Sequence, residues 1–160
     1  MMLRYRNLVL LLFSLAIHAQ TYAGRLLLVG GGSEKTSASG WSTPAYRWAV
    51  EGKRVAVIGT STGSLAPYLT QNCGAAFARE FAIDSHDSAD SQVLYDTLLT
   101  YEAIFFRGGD QWEYYNLYRN TKLQDAVNII YNNGGTICGT SAGMAILSTV
   151  VFTAQNGSAY

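Results

Sequence analysis

The apolar residues of this chain fall into short unbroken runs, each stopped by glycine or a polar turn, with stretches of helical spacing between them. Runs of this kind, without in-out alternation, suit strands covered on both faces, as in a parallel sheet. Arg25-Leu26-Leu27-Leu28-Val29 is the first, and it stops at Gly30-Gly31-Gly32, where backbone must pass closely. Thr43-Pro44 then gives a helix cap and first-turn proline; the helix carries Ala45, Trp48 and Ala49 on one side and ends at Gly52. Arg54 to Ile58 is a second strand. The turn-rich Gly59 to Gly63 leads to a short helix near Leu65 to Thr70, and Ala76 to Ile83 contains a third strand. Asp87 or Ser88 caps a helix bearing Leu94, Tyr95, Leu98 and Leu99, followed by a fourth strand, Ala103-Ile104-Phe105-Phe106, that ends at Gly108-Gly109. After an aromatic stretch from Trp112 to Tyr118, Thr121 begins a helix with Leu123, Ala126, Val127 and Ile130 on one face, closing at Asn133-Gly134-Gly135. Thr136-Ile137-Cys138 is the fifth strand. The alternation predicts an α/β fold, a doubly wound and mostly parallel sheet with helices on both faces and ligands outside the carboxyl ends of its strands.

Residues 1–19 stand apart from this pattern. Arg4 and Arg6 precede an apolar run from Leu8 to Ile17 that is too short to span a bilayer, and small residues follow. These features predict a signal peptide cleaved before Gln20, with Ala23 as a later alternative, so the protein is expected to be exported to the periplasm or the cell exterior. Residues 20–160 then form one domain. The 11 basic and 11 acidic residues balance; losing Arg4 and Arg6 leaves nine against eleven, a net charge of −2. No basic patch suggests nucleic acid, and contact with a membrane is expected only during export. Two cysteines, Cys73 and Cys138, are too few for a disulfide scaffold, and Cys138 lies inside a buried strand, against a bridge. No metal site is suggested, and Gly30 to Gly32 lacks the spacing of a dinucleotide fingerprint, so no cofactor is expected.

The candidate chemistry lies after strands four and five. Gly139-Thr140-Ser141-Ala142-Gly143 places a serine on a tight turn between a strand and a helix, the arrangement that lifts a hydroxyl clear of a sheet for nucleophilic attack. Gly139 and Gly143 flank the turn where a side chain would collide with backbone, and the helix starting at Ala142 aims its positive end at a developing oxyanion. The alternative is a glycine-rich helix start that caps or binds an anion. Gly108-Gly109-Asp110-Gln111 leaves another strand at the same edge of the sheet and offers further N–H groups; Asp110 also suits a helix cap.

Together, Gly30-Gly31-Gly32, Phe105-Phe106-Arg107-Gly108-Gly109-Asp110-Gln111 and Gly139-Thr140-Ser141-Ala142-Gly143-Met144 resemble the cyanophycinase-like serine peptidases, a family that includes dipeptidase E and shares the class I glutamine amidotransferase-like fold. The resemblance runs from about Leu26 to Thr153. It implies Ser141 as nucleophile, the amides of Gly109 and Ala142 as oxyanion hole, and Gln111 and Asp110 as substrate contacts. It also implies a partner: an arginine-decorated poly-aspartate (cyanophycin-like) polymer, or an acidic peptide. A homodimer is compatible with it. Arg107 departs from the smaller residue or lysine expected there, and a fixed positive charge would favour carboxylates over an arginyl side chain.

The general-base histidine that the resemblance implies lies tens of residues past the nucleophile, whereas the sequence ends nineteen residues after Ser141. The expectation is therefore an N-terminal part of the domain, with the base beyond residue 160 and little hydrolysis from these residues alone. His86, in a polar loop amid Asp84, Asp87 and Asp90, is expected to be solvated surface, and Cys138 to be core. Tyr114, Tyr115 and Tyr118 are expected to pack, with a pocket near Gln111 as the alternative place for Tyr115. Glu34 is expected to cap or solvate its loop, and Asn156-Gly157-Ser158 matches a glycosylation acceptor that matters only in a eukaryotic secretory pathway. A non-catalytic module that holds a carboxylate or peptide on the same glycine loops is the reading from another class.

Overall fold

Each apolar run is buried in proportion to its place in the sheet. The computed structural model describes residues 24–31 and 40–157; the leader, Gly32, Glu34 and Ser158 lie outside the described residues. Five strands, β1 (Arg25–Val29), β2 (Arg54–Gly59), β3 (Phe77–Ala82), β4 (Ala103–Phe106) and β5 (Thr136–Thr140), form one all-parallel sheet in the order β1-β5-β4-β2-β3. Central β4 and β5 are buried throughout, and the outer strands β1 and β3 only in part.

Side chains alternate across this sheet, so each strand feeds two cores. Val55, Val57, Ala103, Phe105 and Cys138 face α1 (Thr43–Val50) and α2 (Leu65–Cys73), meeting Tyr46, Ala49, Val50, Tyr68 and Leu69. Ala56, Ile58, Ile104, Phe106 and Ile137 face the opposite way. They are covered by α3 (His86–Ala89), α4 (Gln92–Leu98), α5 (Gln111–Tyr118), α6 (Lys122–Asn132) and the single turn α7 (Ala142–Ala145). This is the expected α/β sheet with helices on both faces. Tyr46 and Phe105 meet edge to face at 5.1 Å near the middle of the first core.

The structure departs from the sequence pattern in three places. On α1 the buried residues are Thr43, Tyr46, Ala49 and Val50, while Trp48 is 52% exposed beneath the Arg25 guanidinium. A heavy aromatic at helical spacing was not enough to mark the core face. The N-cap of α1 is Ser42 rather than Thr43, which puts Pro44 one position further in. The single helix expected after Asp87 or Ser88 is two, because Ser85 and Ser91 each cap a separate start, accepting from Ser88 N and Leu94 N.

Because all five strands are parallel, the loops after β1, β4 and β5 emerge at one edge. The registers Val29↔Thr140 and Phe106↔Gly139 set their ends side by side. Replacing Phe105, fully buried under Tyr46, by alanine is expected to cost about 3–5 kcal/mol in chemical denaturation. Val93→Ala on exposed α4 is expected to stay within about 0.5 kcal/mol.

Candidate functional site

β5 runs straight into Ser141, whose backbone sits at φ 52°, ψ −119°, a left-handed conformation that costs a non-glycine residue about 1–3 kcal/mol. Two backbone hydrogen bonds hold it there. Ser141 N donates to the Val29 carbonyl at 3.0 Å, and Ala145 N donates to the Ser141 carbonyl at 2.9 Å. Close approach on both sides of the turn explains its glycines. A methyl group on Gly143 would lie 2.4 Å from the Phe106 carbonyl oxygen, and one on Gly139 would lie 2.4 Å from the Gly143 carbonyl oxygen. The turn thus packs backbone against backbone, α7 against the end of β4, and leaves the serine exposed above it.

Two glycine loops flank the hydroxyl. Methyl groups on Gly31 and Gly108 would meet the Ser141 side chain at 3.3 Å (Oγ) and 3.4 Å (Cβ), so both loops reach it. In a trans peptide the carbonyl and the next N–H point to opposite sides. The Gly108 carbonyl accepts a 3.1 Å hydrogen bond from the hydroxyl of buried Tyr114, so the Gly109 N–H is turned away from that ring. Burial pushes the Tyr114 hydroxyl above its ordinary pKa and keeps it a donor. A methyl group on Gly109 would lie 2.6 Å from that hydroxyl. Tyr114 packs as expected, but its polar role was not visible in the sequence; a tyrosine five residues after a glycine pair, one turn into the following helix, is the signal that could have revealed it.

The other expected residues divide. Asp110 is the N-cap of α5, its Oδ1 accepting from Trp112 N at 2.7 Å and Glu113 N at 3.1 Å. Gln111 is the first residue of that helix, partly exposed at the same edge. Ala142, buried, opens α7; because α7 is a single turn, what it offers an anion is its amides rather than a helix dipole. Arg107 does not present a free charge: its Nε lies 3.6 Å from Glu80 Oε2, and the guanidinium packs against Gly59 and Gly63. His86 is exposed after the edge strand β3, three strand positions from β5, or roughly 14 Å at ordinary strand spacing. Among the described residues it is the one histidine, and no His, Cys, Asp and Glu cluster there could hold a metal ion.

Cys73 and Cys138 are free and buried in the α1–α2 core. Burial pushes the Cys138 thiol up to about 12, so this cysteine, three residues before Ser141, stays protonated and turned into the core. A cavity of about 730 Å³ lies on the opposite face, lined by Tyr115, Tyr118, Arg119, Ile137, Ile146 and Leu147 among others. Tyr115 lines this cavity, but Gln111 and Ser141 do not.

No protein-family model matches the sequence, and neither does any curated protein. Solved structures do match. A peptidase from an acI-B1 Actinobacterium has a TM-score of 0.65 at 22% identity, covering 82% of this chain and 60% of that one. A putative peptidase E protein from Listeria monocytogenes EGD-e has a TM-score of 0.53 at 17% identity, covering 85% of this chain and 67% of that one. The likeness is one of fold. This chain spans 60% of the length of the actinobacterial peptidase.

Removing the Tyr114 hydroxyl with Tyr114→Phe is expected to slow covalent capture of Ser141 by a serine-reactive phosphonate about tenfold, at a stability cost of about 1 kcal/mol. Stopped-flow labelling beside a denaturation curve checks both. For Cys138, the folded thiol stays protonated where the unfolded one ionises, so its contribution to stability is whole below pH 9. That contribution is lost as pH rises towards about 12. Cys138→Ala is expected to flatten part of the alkaline fall in stability across that window, as measured by urea denaturation at stepped pH.

Proposed function

We propose that this chain carries the nucleophile of an exported serine-type peptidase of the cyanophycinase-like kind. The carrying observation is the left-handed Ser141 turn, held with its hydroxyl between the Gly31 and Gly108 loops. Strain of this size persists only where the surroundings over-determine it, and such positions cluster at reactive sites. Support also comes from the two structural neighbours, whose titles name a peptidase and a putative peptidase E.

In this reading Ser141 Oγ attacks the scissile carbonyl carbon while its proton passes to a base outside the described residues. The oxyanion that forms is held by the amides of Gly109 and Ala142. The C–N bond then breaks, the leaving amine takes the proton, and water hydrolyses the acyl-enzyme. Gln111, at the start of α5, contacts substrate, and Asp110 holds that helix in place while contributing to the same rim. The substrate class is an acidic peptide or an aspartate-rich polymer. Because Glu80 neutralises Arg107, that arginine supplies no fixed charge against a neighbouring arginyl side chain, and a cyanophycin-like polymer remains in the class.

Incubating the full-length protein with a fluorophosphonate is expected to give one adduct, on Ser141, that Ser141→Ala abolishes. Folded protein that stays unmodified at Ser141 would leave the second reading, a module that binds carboxylates without cleaving them.

A further inference from the structure

We infer that Glu80 and Arg107 are positioning residues of the Ser141 site. Their ion pair, seated across Gly59 and Gly63, fixes the Gly108-Gly109 loop whose amide receives the oxyanion. The inference rests on the reading of Ser141 as a nucleophile and adds to it residues that do not touch the reacting atoms.

Arg107 is the last residue before the glycine pair, and its own N–H donates to the Ile58 carbonyl at 2.9 Å, extending the β4–β2 ladder by one step. Strand alternation sends its side chain to the α1–α2 face, opposite Phe106. There it crosses the loop between β2 and α2. A methyl group on Gly59 would lie 2.8 Å from its Nη2, and one on Gly63 would lie 1.7 Å from Nη1. Nη2 also donates to the Ser61 carbonyl. The two glycines therefore leave the groove that the guanidinium occupies.

Glu80 completes the clamp from β3. Its Oε2 faces Arg107 Nε at 3.6 Å, while Oε1 accepts from Ala66 N at 2.9 Å, in the first turn of α2. The side chains are only 10% and 19% exposed, for Glu80 and Arg107, so removing either partner leaves a largely buried charge uncompensated. The result ties β3, α2 and the β2–α2 loop to the first residue of the oxyanion loop. Two adjacent glycines are the most flexible dipeptide a chain can offer, and an oxyanion donor works only if it is already in place. Tyr114 fixes this loop from one face of the sheet and Arg107 from the other.

The test is saturation kinetics of Ser141 phosphonylation in the full-length protein, separating the limiting rate from the half-saturating concentration. Arg107→Met and Glu80→Gln are each expected to lower the limiting rate about 10- to 100-fold, with the half-saturating concentration changed less than about threefold. The double variant should be no slower than the slower single one. Arg107→Lys should recover part of the rate. Gly63→Ala, which evicts the guanidinium without altering its charge, should reproduce the loss in a protein that melts within a few degrees of the parent. Limiting rates within about threefold of the parent in folded Arg107→Met and Gly63→Ala would overturn the inference.

If the parent itself fails to label, the nucleophile reading falls, and ¹⁵N relaxation then judges the clamp alone. Order parameters at Gly108 and Gly109 should fall from about 0.85 to below about 0.6 in Arg107→Met; unchanged values would contradict it.

Discussion

Everything at this edge of the sheet depends on how closely the backbone of the β5–α7 turn approaches the end of β4. With Gly143 packed on the carbonyls of Phe106 and Arg107, and Gly139 packed on Gly143 itself, the chain has no room to leave β5 gradually. It must reverse within one residue, and that residue is Ser141, in a left-handed conformation. The cost is local, about 1–3 kcal/mol, and the surrounding parallel sheet offsets it. The same crowding holds the serine against the glycine loop that follows β4, so strain at the turn and contact with a second loop have one cause.

The sheet makes this possible through its order. β5 lies between β1 and β4, and the loops after all three end at the carboxyl edge within reach of one hydroxyl. Each loop contributes glycine where backbone must come near: Gly31 from β1, Gly108 from β4, Gly139 and Gly143 around β5. Anchors then come from outside the edge. Tyr114 holds the Gly108 carbonyl from the helices on one face, while Arg107 and Glu80 reach across from the other. Cys138, in spite of its place beside the turn, belongs wholly to the core.

Much of this was legible in the sequence because strand ends and glycines are local signals. Four of the five strands, the parallel arrangement and the turn at Ser141 follow from short apolar runs stopped at or near glycine, and β3, interrupted by Arg79 and Glu80, from a mixed run stopped by the polar turn at Asp84. What was not legible depends on partners distant along the chain. The core face of α1 is not legible locally because Trp48 and Tyr46 are both aromatic at plausible spacing, and partners distant along the chain, Phe105 on β4 and Tyr68 on α2, select Tyr46. The break between α3 and α4 is set by two serine caps, Ser85 and Ser91, whereas the apolar pattern, Leu94, Tyr95, Leu98 and Leu99, belongs to α4 and its C-cap and does not mark where the helix starts. Arg107 looked like a free charge at the site because its partner, Glu80, lies on a strand two places away in the sheet.

The most direct measurement is a crystal structure of the protein with a phosphonate bound covalently to Ser141, since the adduct imitates the tetrahedral intermediate. The account predicts a phosphonyl oxygen within about 2.7–3.1 Å of both the Gly109 and Ala142 amide nitrogens, with Ser141 still at positive φ. An oxygen directed into solvent, or a Ser141 relaxed to negative φ, would contradict it.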